Sequence, residues 1–210
     1  MAVGTRSTKS LTLAVLLMTL VVVGLGGSVL VIKLRPRSEP ASDMQREIER
    51  WQSAVDEAPE DDWAHAGLGM ALLVAGRDGE ASQEFEEALV WNARNWVALY
   101  QLGLIERSSD RVRAADLLER AARYAPRTSK SGPLIALGNL ELADGDAEQA
   151  RGIFRRAIAD SPFLIDPHVG LAKALEALGD AEGALEQYME AARYDPSNPD
   201  VIDAIDRLGG

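Results

Sequence analysis

Four stretches of this chain repeat one short phrase. In residues 179–196, GDAEGALEQYMEAARYDP, Ala184, Tyr188 and Ala191 fall at i, i+4 and i+7. That spacing puts them on one face of a helix. Gly179-Asp180 turns the chain into the helix and Asp195-Pro196 closes it. Small, aromatic and small residues in that order let a neighbouring helix come close at two points and fill the space between. Residues 145–162 give Ala150, Phe154, Ala157 and Pro162. From Gly76 the phrase reads Ala81, Phe85 and Ala88, with Ala93 where a proline is expected. A looser copy has Ala114, Leu118, Ala121 and Pro126. A chain written this way must stack helices, because no single copy can bury its own apolar face.

A second amphipathic segment precedes each copy. Leu68-Gly69, Leu137-Gly138 and Leu171-Ala172 stand thirteen and twelve residues before the first alanine, while Leu102-Gly103 is one residue closer, which predicts a shorter turn. The closing prolines are 36 residues apart from Pro126 to Pro162 and 34 from Pro162 to Pro196. A period near 34 built from two helices resembles the tetratricopeptide repeat (TPR) family. The resemblance covers roughly residues 62–196. It implies an all-α TPR superhelix of antiparallel helix pairs, about four repeats with capping helices. It says little of function, because a repeat fold serves many partners.

The repeats are expected at about 62–93, 95–126, 131–162 and 165–196, within a region running from 59 to 196. Residues 42–58 read as an N-terminal capping helix. Ser42 or Asp43 would cap it, and Met44, Ile48, Trp51 and Val55 form its apolar stripe. Residues 197–210 read as a C-terminal capping helix with Val201, Ile202, Ile205 and Leu208 turned inward. Such caps keep a terminal repeat from exposing its apolar face. The stretch from Arg127 to Pro133 is longer than the other connections and is expected to be the most flexible.

The N-terminus is of another kind. A short basic tail, residues 1–10 with Arg6 and Lys9, precedes Leu11–Ile32, 22 residues without a charge. As a helix this run would be about 33 Å long, enough for a hydrocarbon core of about 30 Å. The expectation is a single-pass transmembrane helix at 11–32, then a stiff tether at 33–41 containing Pro36 and Pro40. A cleaved signal peptide ending near Gly24-Leu25-Gly26 is the competing reading, opposed by the apolar Val29–Ile32 beyond that site. Gly24 and Ser28 form a small-xxx-small pair, which in membrane helices is more often composition than contact. Lys33, Arg35 and Arg37 outnumber Arg6 and Lys9, which favours a cytoplasmic C-terminal side. The signal-like N-terminus favours the opposite, and the expectation taken is an extracytoplasmic TPR domain of a bacterial type.

All 33 acidic residues lie at or after Glu39, and from residue 38 onward 17 basic residues face them. A domain this acidic should repel nucleic acid, whose affinity comes mainly from neutralised phosphates. The chain has no cysteine, which removes thiolate nucleophiles and zinc–thiolate sites. Its two histidines, His65 and His168, occupy the same slot, three residues before Leu68 and Leu171, and so read as structural. No phosphate loop, nucleophile elbow or histidine pair for a metal is present. Asp144-Gly145-Asp146 lacks the remaining ligands of a calcium loop. No enzyme, cofactor or metal is expected.

What remains is a binding surface. The resemblance implies a concave groove lined by the first helix of each pair. Its inward residues would be Trp63, Ala66 and Met70, then Val97, Tyr100, Leu104 and Arg107. Ile135, Asn139 and Leu142 follow, then Val169, Lys173 and Glu176. Trp63, Met70, Tyr100, Leu104, Arg107, Ile135, Asn139, Val169 and Lys173 are the chosen site residues. The expected partner is a protein, gripped as a helix or apolar peptide by a membrane-anchored scaffold or assembly factor. The alternative is a permanently docked subunit of a membrane or envelope complex, including assemblies of the cytochrome c maturation kind.

Overall fold

A computed structural model describes residues 19–23, 29–33 and 43–209. The chain divides into two units, Met1–Arg46 and Glu47–Gly210. In the first, β1 (Thr19–Val23) pairs antiparallel with β2 (Val29–Lys33), in a register that sets Thr19 opposite Lys33 and Val23 opposite Val29. This departs from the helix expected over Leu11–Ile32. The reason is local. TLVVV and VLVIK are rich in β-branched residues, which favour strand, and the Gly24–Ser28 stretch between them holds three glycines. Among the described residues no helix is long and apolar enough to cross a membrane. The basic tail, the Gly24–Gly26 cleavage reading, the Gly24/Ser28 pair, the 33–41 tether beyond Lys33 and the Ser42 cap lie outside the described residues.

The second unit is built from helices. The first, α1 (Asp43–Glu57), begins within the last residues assigned to the first unit. Four pairs follow: α2 (Asp62–Val74) with α3 (Asp78–Trp91), α4 (Trp96–Glu106) with α5 (Arg111–Tyr124), α6 (Ser131–Asp144) with α7 (Ala147–Asp160), and α8 (Ile165–Ala177) with α9 (Ala181–Tyr194). The last helix, α10 (Pro199–Gly209), covers α9. Polar side chains start several of these helices. Asp61 accepts from the Trp63 and Ala64 amides at 2.9 and 3.3 Å, Asn95 from Ala98, Asp110 from Arg113 and Asp180 from Gly183. Each satisfies a backbone donor that the helix leaves unpaired.

Three of the four turns inside pairs place a glycine at positive φ: Gly76 at 74°, Gly145 at 89° and Gly179 at 82°. Only glycine takes that conformation without steric cost. The second pair has no such residue, and α4 passes to α5 through Arg107–Asp110. The Arg127–Pro133 connection, expected to be the most flexible, holds two local features. Arg127–Ser129 forms a 3-10 turn, and the buried Ser131 bonds its Oγ to Ser161 Oγ at 2.6 Å.

The repeated phrase forms the core. Ala81, Phe85, Ala88, Ala114, Ala121, Ala150, Phe154, Ala157, Ala184 and Ala191 are wholly buried, and Leu118 and Tyr188 nearly so. Each large residue of the first three pairs presses on the glycine of its partner helix. A Cβ on Gly69 would fall 2.7 Å from the Phe85 ring, one on Gly103 2.8 Å from Leu118, and one on Gly138 2.8 Å from Phe154. At the front of the stack the Trp51 indole of α1 takes the same role over Gly67, while its Nε1 donates to Glu47 at 2.8 Å.

Candidate protein-binding groove

First helices touch at two of the three junctions between pairs, α2 with α4 and α6 with α8, whereas among the described residues no two second helices meet to that extent. The stack therefore curves with its first helices inside. Along this inner side the site residues predicted from sequence fall into three environments.

Trp63 and Met70 on α2 are open to solvent, Trp63 at 52%. Tyr100, Leu104, Ile135 and Val169 are half-buried. Tyr100 and Ile135 lean on the cluster built around Leu118, Leu134 and Leu137, and Val169 on the one around Tyr188. Arg107, Asn139 and Lys173 are exposed. Ala66 is buried in the core, which corrects its assignment to the groove. Glu176 is also withdrawn from free service. It accepts from Tyr188 Oη at 2.7 Å and from Arg207 at 2.5 and 3.1 Å.

Three of these residues converge. Leu104, Arg107 and Asn139 line one cleft of about 330 Å³ between α4 and α6, floored by Leu118, Ala136 and Leu140. Arg111 stands at its rim and is bound to Asp144. Sequence reasoning missed Leu140 and Arg111. The spacing of Ala136, Asn139, Leu140 and Ala143, at i, i+3, i+4 and i+7, carried the signal for the α6 wall. The other six site residues lie outside this cleft.

The charge of the inner side differs from that of the whole domain. Among the described residues the side chains of Arg107, Asn139 and Lys173 make no hydrogen bond or ion pair, although the Lys173 charge acts on Glu176. Several first-helix carboxylates, by contrast, are held: Glu106 by Arg113 at 2.9 Å, Asp144 by Arg111 and Glu176 by Arg207. Burial pushes the Tyr100 phenol up from its ordinary pKa, and the Arg107 charge opposes that shift. The groove thus offers apolar surface with free donors around it, in a domain that is acidic as a whole.

The histidines sit away from the groove, at the seam within their pairs. His65 Nε2 donates to the Pro59 carbonyl at 3.0 Å and His168 Nε2 to the Pro162 carbonyl at 3.0 Å. Their Nδ1 atoms meet different partners, Glu84 at 2.8 Å and Gln187 at 3.0 Å. Burial alone would lower the His65 pKa. The Glu84 hydrogen bond, the Pro59 carbonyl and the charges of Glu84 and Glu87 outweigh it and raise the value. A raised folded-state pKa stabilises the fold fully below the unfolded value of about 6.5, and that contribution is lost as pH rises through the folded value. Glu84→Gln copies the partner of His168. Urea midpoints measured from pH 5.5 to 8.5, about the histidine range, are expected to fall with pH more steeply in the native chain than in this variant. Parallel curves would contradict the assignment.

Among the described residues no group of His, Asp and Glu is placed to hold a metal. A curved stack of helix pairs with an open inner groove defines the class: a helical-repeat solenoid of the kind that typically serves as a protein-interaction scaffold. The fold is that of tetratricopeptide repeat proteins. Residues 141–208 match the tetratricopeptide repeat family model. The chain is 30% identical over 137 residues to tetratricopeptide repeat protein 17 of Danio rerio, which covers 61% of this chain but only 11% of that protein. Among solved structures, Pseudomonas aeruginosa PilF superposes with a TM-score of 0.71 at 19% identity, covering 79% of this chain and 75% of that one. YrrB, a TPR protein with an unusual peptide-binding site, gives a TM-score of 0.67 at 18% identity, with 77% and 82% covered. At such identity the likeness establishes the fold: an all-α TPR superhelix.

Proposed function

We propose that this protein is a membrane-held TPR scaffold that takes a segment of a partner protein into its concave groove. The observation that carries the reading is the convergence of Leu104, Arg107 and Asn139 on one apolar-floored cleft with unpaired donors at its edge. Those groups suit a short helix or peptide with an apolar anchor and acceptor groups beside it. A rigid stack loses little ordering entropy when it binds. The peptide-binding site of YrrB supports a peptide occupant. The membrane attachment is drawn from the apolar, uncharged composition of Leu11–Ile32 and not from a spanning helix, since the described part of that run is strand, and the signal-like N-terminus favours an extracytoplasmic placement of the repeats. In this reading the protein works by recognition alone, with no catalytic step.

The test is photocrosslinking in intact source cells, with the reactive residue at Tyr100 and a control at Glu148 on α7, the outer side of the stack. A discrete adduct from Tyr100 alone is expected, and the partner's compartment then fixes that of the repeats. Tyr100→Ala should weaken capture of that partner about tenfold while leaving the melting temperature within a few degrees. Adducts from Glu148 but not Tyr100 would replace groove recognition with a permanently docked outer face.

A further inference from the structure

A second surface departs from the repeat pattern on the opposite, convex side. The residues one and five positions after the first core alanine lie on the side of each second helix that borders the second helix of the next pair, where Glu86 meets Arg113 of α5 and Glu119 meets Arg156 of α7. They are Ser82 and Glu86 on α3, Ala115 and Glu119 on α5, and Arg151 and Arg155 on α7. On α9 the same two slots hold Leu185 and Met189. Only there do both become large and apolar. Leu185 is half-buried beside the end of α10 at Gly209, while Met189 stays 56% exposed. The two line a trough of about 510 Å³ along α9 with Glu182, Glu186, Glu190 and Arg193.

The rim of that trough is acidic. Arg193, its one cation, is bound to Glu190 at 2.8 Å, and Glu190 also accepts from Tyr194 Oη at 3.0 Å. Among the described residues Glu182 and Glu186 have no cationic partner. From Ala177 to Gly209 the chain carries eight carboxylates and two arginines, and the second arginine, Arg207, is held by Glu176. An apolar strip one helical turn long, flanked by unneutralised glutamates, attracts the opposite pattern.

We infer that the convex face of α9 docks a basic amphipathic helix of a partner protein. Its apolar stripe lies over Leu185 and Met189, and its lysines or arginines reach Glu182 and Glu186. Helix on helix is the packing that such a ridge admits, and α9 offers no strand edge to extend. A second copy of the chain is disfavoured by charge, because two such faces would bring three glutamates against three with one arginine apiece. An anionic lipid surface meets the same repulsion. This site is separate from the concave groove and stands without it.

The probe is an amidated, fluorophore-labelled peptide of about 18 residues, with leucines at i, i+4 and i+7 and lysines elsewhere. Its fluorescence anisotropy is titrated with the full chain. Saturable binding is expected, weakening as salt rises. Met189→Lys and Glu186→Lys should each raise Kd about tenfold or more. Glu57→Lys on α1, an equal charge change elsewhere, should shift it less than about twofold. Tyr100→Ala should leave it unchanged, which separates this site from the groove. No saturable binding overturns the inference. So does equal affinity for a peptide with scattered leucines, or equal loss in Glu57→Lys. Met189-dependent self-association in sedimentation would assign the strip to a second copy, and Met189-dependent capture of phosphatidylserine vesicles would assign it to a membrane.

Discussion

Phe154→Ala should be the most damaging truncation in the chain, with an expected loss of about 3–5 kcal/mol. The ring is wholly buried on α7 and is flanked by two glycines from different helices, Gly138 on α6 and Gly170 on α8. Truncation leaves a void between two backbones that approach closely, and neither has a side chain to fill it. Tyr188 occupies the same slot one repeat later, but its hydroxyl is tethered to Glu176 and it faces Ala172 rather than a glycine. Urea denaturation followed by circular dichroism measures the loss. A change below about 1 kcal/mol would mean that the stack collapses onto the void, contrary to this picture of rigid walls.

Gly170→Ala should also destabilise the chain, by less and by the opposite route. The added Cβ would lie 2.3 Å from Phe154 Cε1 and 2.4 Å from Cζ, closer than any carbon contact allows. The ring has little room to retreat, because it also lies against the Gly138 backbone, where an added Cβ would fall 2.8 Å from it. Overpacking of this kind costs about 1–3 kcal/mol. The two substitutions should also be coupled. With Phe154 already alanine, the extra methyl of Gly170→Ala enters the void, and its penalty should vanish or reverse. A double-mutant cycle that came out additive would show that the two residues do not share one space.

The core was readable in the sequence because its phrase has a period. Ala81, Phe85 and Ala88, and their counterparts in the other repeats, are placed by spacing alone, and spacing decides which side of a helix is buried. The groove was harder to read. The first helices are apolar almost all round. WVALYQLGLIE, the whole of α4, has no polar stripe to mark which side faces in. Ala66 could therefore be placed in the groove although it is buried, and Leu140 could be missed. Polar residues on those helices gave a firmer guide. Arg107 and Asn139, which have no role in packing, were placed by the repeat register and do meet in one cleft. The helix expected in the N-terminal run failed for a different reason. Hydropathy measures how apolar a stretch is, whereas valine-rich segments separated by glycines also have a strand preference that hydropathy does not count.

The position of Gly170 has a consequence for how this chain can be cut. By sequence the last three repeats each close at a proline, yet the ring at the centre of the third repeat has one of its two walls in the fourth. Gly67 likewise gives the first repeat's seat to Trp51, which lies before that repeat begins. The units that recur in the sequence are thus not the units that cohere in space. A fragment ending at Pro162 would contain every residue of three repeats and still leave Phe154 with an open side. A fragment that is whole in structure has to borrow a helix from its neighbour.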